Sequence, residues 1–152
     1  MKYLPMVVTV SLFAAAVMVS LAGTACDQCS GTGIHVLDAE GVSKLDTCAE
    51  WAGSEEERKQ GLSGRAVLAP GDGLWMEFPT VGEVCITGEG MQFPIDVIFV
   101  DDASKVVAKR SLGAGDKNQI CEQGVQNVLE VNAGEAKYVG PGDTVQIDYV
   151  GL

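Results

Sequence analysis

Short runs of alternating residues, each closed by glycine or proline, constrain this chain most, because successive side chains of a strand point to opposite faces. Leu74, Met76 and Phe78 alternate with Gly73, Trp75 and Glu77, between Pro70-Gly71-Asp72-Gly73 and Pro79. A run over 42–51 sets Leu45, Thr47, Ala49 and Trp51 on one face and Asp46, Cys48 and Glu50 on the other. Residues 34–37 alternate in the same way. Residues 95–100 are apolar on both faces apart from Asp96, and Asp101-Asp102-Ala103-Ser104 turns them back into a partner strand over 105–112. Two more strands are read over 125–131 and 144–150, the last after a Pro141-Gly142 turn, with Val145, Ile147 and Tyr149 inward. One helix interrupts the pattern. Ser54 followed by Glu55-Glu56-Glu57 is a capping box, with three acids at the positive helix end, and the helix stops at Gly61. Roughly eight short strands and one short helix predict a mainly β fold, a single β-sandwich or barrel-like domain over 34–151.

The N-terminus carries an address. Lys2 is the sole charge before Asp27, and residues 3–22 are an almost unbroken apolar run ending in the small residues Ala22-Gly23-Thr24-Ala25. Gly23 and Ala25 suit the two selective subsites of a signal peptidase, so 1–25 reads as a signal peptide cut before Cys26. The segment resembles a lipoprotein signal, which implies a diacylglyceryl group on Cys26. Two other readings remain open: an uncleaved anchor, since twenty apolar residues reach roughly 30 Å and span a bilayer, and simple cleavage that releases a secreted protein. All three place the domain outside the cytoplasm, with the membrane as a partner in the first two. Residues 26–33 are polar and glycine-rich, a flexible linker.

Five cysteines, an odd number, ask for an explanation: Cys26, Cys29, Cys48, Cys85 and Cys121. With Cys26 lipidated, four remain, and in an oxidising compartment they close two disulfides in any of three connectivities. Pairing sequence neighbours, Cys29 with Cys48 and Cys85 with Cys121, is the expectation. Cys26-Asp-Gln-Cys29 is half of a zinc knuckle without its second pair, and it lacks the strand and helix that flank a redox-active pair. With His35 the only histidine, no metal or cofactor is expected.

A formal charge of −11 opposes binding to nucleic acid, whose affinity rests on phosphate neutralisation. Several stretches stand in a suggestive order: Glu55 to Arg65 with Gly61-Leu62-Ser63-Gly64, then Gly73-Leu74-Trp75-Met76-Glu77-Phe78, Gly90-Met91-Gln92-Phe93-Pro94-Ile95-Asp96, and Val128-Leu129-Glu130-Val131 before Gly142-Asp143. Together they resemble the uncharacterised family called domain of unknown function 192, over about 36–150. The resemblance implies a small, mainly β protein, often exported or lipid-anchored, and implies no activity. Ser63 stands where the family has methionine, and Gly90-Met91-Gln92-Phe93 replaces a Trp-Met-x-Asn-Thr segment, so a family pocket lined there would be altered. Cys121 matches the second of two cysteines in some members, which leaves Cys85 as its substitute partner.

Three carboxylates fall inside these motifs. Asp96 and Glu130 could act as general acid and base, the reading of the chain as a hydrolase. The structural alternatives are that Asp96 accepts from backbone N–H groups, that Glu130 lies on a solvated face, and that Asp143 is a turn residue. Arg65 is a candidate partner for Asp96 or Glu130. No Gly-x-Ser-x-Gly elbow, phosphate loop or dinucleotide fingerprint occurs. Trp75, Met76, Met91 and Phe93 form an aromatic and thioether set that either lines an apolar groove or fills the core. The leading expectation is therefore a non-enzymatic envelope protein that binds a small ligand, a polymer or another envelope protein through those four side chains.

Overall fold

The protein is described here from a computed structural model covering residues 31–148. Its strands are β1 (Thr32–Leu37), β2 (Ser43–Ala52), β3 (Asp72–Thr87), β4 (Ile95–Val100), β5 (Val106–Leu112), β6 (Gln119–Asn132) and β7 (Thr144–Asp148), with one helix, α1 (Glu55–Gln60), between β2 and β3. They form a single sheet in the order β5-β4-β6-β3-β2-β1-β7. Every pair is antiparallel except β2 with β3, which needs a crossover, and the segment carrying α1 supplies it.

The sheet curls into a half-barrel. Its two ends in strand order approach each other where β5 and β7 begin. There Lys105 bridges to Thr144, the Val106 N–H donates to the Asp143 carbonyl at 2.9 Å, and the Val145 N–H donates to the Ser104 carbonyl at 2.8 Å. Backbone groups that an open edge would leave bare are thus paired.

Local chemistry explains the elements that were readable. Asp101 Oδ1 accepts from the N–H groups of Ala103 and Lys105, at 2.9 and 2.8 Å, which closes the β4–β5 hairpin around Ser104, a residue with φ of 58°. The capping box is complete: the Glu57 N–H donates to Ser54 Oγ at 3.2 Å, and the Ser54 N–H donates to Glu57 Oε2 at 2.9 Å. Gly61 ends the helix at φ 51°, which a side chain would resist.

Apolar residues divide between the two faces. Ile34, Val36, Leu45, Trp75, Ile98, Leu129, Val131 and Val145 pack on one, with Ala136 and Val139 from the β6–β7 connection. Leu74, Met76, Val97, Phe99, Val125 and Val128 pack on the other, under Leu62, Leu68 and Met91. β4 lies between β5 and β6 with both faces covered, so all six of its residues are buried.

Seven strands rather than roughly eight are present among the described residues. The expected break at Pro79 is absent: β3 runs on to Thr87. Its pairing with β6 is irregular between Glu77 and Gly82, so Pro79 sits where no ladder bond is needed from its nitrogen. β6 correspondingly starts at Gln119, well before the 125 expected. β1 takes in Thr32 and Gly33 from the expected linker. Residues 1–25, read as a signal peptide, and Cys26, Cys29 and Tyr149 lie outside the described residues. No helix among the described residues is long and apolar enough to cross a membrane.

Candidate functional site

A cavity of ≈ 510 Å³ opens on the face that α1 covers. Period-two alternation delivers its floor, because Glu130 of β6 and Met76 of β3 point to this side. Phe78 and Ile86 of β3 form a wall, Met91 rises from the turn before β4, and Leu62 closes it from the segment after the helix. The helix end supplies Arg58 and Gly61. A Cβ on Gly61 would come within 3.3 Å of Met76 Cε and 3.6 Å of Glu130 Oε2, so the glycine keeps space open beside the carboxyl.

Glu130 is 3% exposed, and its Oε2 has no hydrogen-bond partner. Burial raises its pKa from 4.5 to about 7, against the opposing pull of the Arg65 guanidinium. A carboxyl so placed is partly protonated at neutral pH and can donate or accept a hydrogen bond. The cations at the cavity are otherwise engaged. Arg58 donates to the Glu77 carbonyl at 2.8 Å and to the Gly53 carbonyl, and its guanidinium lies 5.2 Å from the Phe78 ring centre. Lys59 pairs with Glu55 at 2.5 Å.

The acid/base pair of the alternative, hydrolase reading does not form. Asp96 stands opposite Val131 in the β4–β6 register and Glu130 opposite Val97, so the two carboxyls face opposite sides of the sheet. Asp96 is instead an internal brace, accepting from Ser111 Oγ at 2.7 Å, the Gly134 N–H at 2.8 Å and the Ala136 N–H at 3.3 Å. The solvated face read for Glu130 is corrected too, since α1 and Leu62 cover it. Arg65 forms no hydrogen bond to either carboxylate; it grips Glu50 in a bidentate pair at 2.6 and 2.7 Å, which holds the Glu50 pKa below its ordinary value. Asp143 is buried, bound by Lys44 Nζ at 2.8 Å and the Gly140 N–H at 2.8 Å.

The four-residue groove is likewise divided. Met76 and Met91 border the cavity, but Trp75, adjacent to Met76 in one strand, must point the other way, and it packs in the opposite cluster 6.3 Å from the Trp51 ring. That separation follows from strand geometry and was available in the sequence. Phe93 packs half-buried against the cavity-side cluster without lining the cavity. Alternation puts Phe78 on the face of Met76 but does not propose it for a site; Leu62 and Ile86 are not proposed either, because the fold alone brings them to this cavity.

Cys85 also reaches the cavity wall and is disulfide-bonded to Cys121, its direct partner in the β3–β6 register. Glu83 lies beside these sulfurs, but sulfurs joined to each other offer no thiolate to a metal. Cys48 is disulfide-bonded as well, and Cys29, the partner expected for it, lies outside the described residues.

The model of the family DUF192, described as an uncharacterised ACR, matches residues 36–147. A crystal structure of a candidate transcription regulator from Sinorhizobium meliloti 1021 is similar with a TM-score of 0.72 and 25% identity, covering 77% of this chain and 94% of that one. A protein of unknown function from Novosphingobium aromaticivorans DSM 12444 shares the fold with a TM-score of 0.70 and 23% identity, over 75% of this chain and 83% of that one. No curated protein matches the sequence.

Proposed function

This chain belongs to the DUF192 family, and from that premise we propose that it is a non-enzymatic binding module, held on the outer side of a membrane by lipid on Cys26, that takes a small apolar ligand bearing one polar group into the cavity over Glu130. The observation that carries the binding reading is the unpartnered Oε2 of a carboxyl 3% exposed among the apolar side chains at the floor of a cavity of mixed lining. Folding a carboxyl into such a place costs stability, and a ligand group that pairs with it offsets that cost. A cavity of a few hundred Å³ that sets an apolar patch (Leu62, Met76, Phe78, Ile86 and Met91) beside polar groups such as Glu130, Ser63 and Thr87 has the mixed lining of a small-molecule site. Catalysis has less support, since Asp96 faces the other side and no histidine lines the cavity. The designation of the Sinorhizobium neighbour is not carried over, because a charge of −11 disfavours nucleic acid.

Export rests on the apolar run before Ala22-Gly23-Thr24-Ala25, and lipidation on Cys26 after it. Mass spectrometry of the membrane fraction tests both: a diacylglyceryl-modified Cys26 is expected, and an unmodified N-terminus in the medium contradicts the anchor. Binding is tested with the neutral fluorescent probe phenylnaphthylamine. Saturable one-to-one fluorescence is expected, and it should be lost in Ile86→Trp or in Gln60→Trp on the exposed helix, each of which fills the cavity. Unsaturable fluorescence, or fluorescence retained in folded forms of both variants, contradicts the site.

A further inference from the structure

Resting on that binding reading, we propose that the ligand is a small aliphatic primary amine, its ammonium seated on the Glu130 carboxyl and its chain among Leu62, Met76, Phe78, Ile86 and Met91. The charge inventory of the cavity decides among head groups. Lys59 is matched by Glu55 at 2.5 Å, Lys117 approaches Glu89 at 3.9 Å, and Arg65 is matched by Glu50. Arg58 is turned toward two backbone carbonyls and the Phe78 ring. Glu130 is thus the acid of the cavity with no partner at its Oε2. Among the described residues, an anionic ligand would meet that carboxyl with no unengaged cation at the cavity to receive it.

A neutral alcohol offers Glu130 one donor, whereas an ammonium offers three donors and the opposite charge. The usual objection to a buried ion pair is that both charges must leave water. Here folding has already taken the carboxyl out of water, so binding adds the desolvation of the amine and, for the fraction still protonated at neutral pH, the loss of the Glu130 proton. Size sets the other limit. A cavity of ≈ 510 Å³ takes a molecule of drug size or below, not a two-chain aminolipid. Gly61 puts no side chain beside Oε2, where a Cβ would lie 3.6 Å from it; the ammonium reaches the buried oxygen by a shift of the flexible Met76 side chain, and Met76 and Leu62 are apolar surfaces for a straight chain.

Calorimetric titration of the full chain with hexylamine, hexanol and hexanoate tests this. Hexylamine should bind at least about tenfold more tightly than hexanol, and hexanoate most weakly. Glu130→Gln should remove the preference for hexylamine over hexanol, because an amide carbonyl still accepts from a hydroxyl but carries no charge for an ammonium. Should that variant not fold, the carbon-13 shift of the Glu130 carboxyl is read in the wild type at neutral pH, and it should move to the ionised value on saturation with hexylamine. Equal affinities for hexylamine and hexanol, a preference that survives Glu130→Gln, or an unmoved carboxyl shift overturns the amine while hexanol binding leaves the cavity reading standing. Failure of hexanol, hexylamine and phenylnaphthylamine alike overturns both.

Discussion

Asp96 and Glu130 sit on hydrogen-bonded neighbouring strands one residue out of register, and that single step sends one carboxyl into a network of donors and the other to the floor of a cavity where its Oε2 has no partner. Identical chemistry thereby acquires two roles. Asp96 holds the β6–β7 connection against β4, and Glu130 keeps an Oε2 without a hydrogen-bond partner.

Asp96→Ala should destabilise the fold without touching the cavity. It leaves the Gly134 and Ala136 N–H groups and Ser111 Oγ without their acceptor, a loss of about 3 kcal/mol. Urea unfolding should show a lower midpoint at unchanged slope, and phenylnaphthylamine affinity should stay at the wild-type value. An unchanged midpoint would contradict the bracing role.

Glu130 should make the protein less stable as pH rises. Its folded pKa, about 7, lies above the ordinary 4.5, so across that window the unfolded chain gives up the proton while the folded protein keeps it. The penalty is absent below pH 4.5, grows through the window and levels off above pH 7 at about 3 kcal/mol. Glu130→Gln should remove it, gaining stability over wild type at about pH 8 and little at about pH 4. Melting temperatures at the two pH values decide the matter, and a constant difference between the proteins would refute it.

The sequence made some of this legible and not the rest, for physical reasons. The capping box at Ser54 and the Asp101 turn depend on neighbours within a few residues, and both formed as read. Alternation reports which residues share a face, and it grouped Leu45, Thr47, Ala49 and Trp51, of which the first three are buried and Trp51, at the end of β2, is exposed. It does not report what covers a face. Glu130 was read as solvated because its lid, Leu62 and the end of α1, comes from far earlier in the chain. Pro79 stopped the reading of β3 because the interruption that tolerates it depends on β6.

Arg65→Gln should push the Glu130 pKa higher still, since the guanidinium is the influence that opposes burial. Stability should change by less than about 1 kcal/mol, because the Arg65–Glu50 pair is open to solvent. Carbon-13 titration of the Glu130 carboxyl reads the shift, and a downward or absent change would contradict this electrostatic account.

The Cys85–Cys121 disulfide joins β3 to β6 beyond their irregular stretch and spans a sequence separation of 36. Replacing both with serine should cost about 3 to 4 kcal/mol by the chain-entropy argument. Urea unfolding of the double variant measures this. Because Cys85 also lines the cavity, phenylnaphthylamine affinity should fall in the same variant, and retention of both stability and affinity would contradict the assignment.

The claim on which the account depends is that ligands enter the cavity over Glu130. The chain has five methionines, of which Met1, Met6 and Met18 precede Cys26. A protein beginning at Cys26 therefore gives two methionine methyl signals, Met76 and Met91, and both residues border the cavity. In methyl-labelled protein titrated with hexylamine, both signals should shift together and saturate at one equivalent bound. If hexylamine binds and neither signal moves, the ligand sits elsewhere and the site proposed here is wrong.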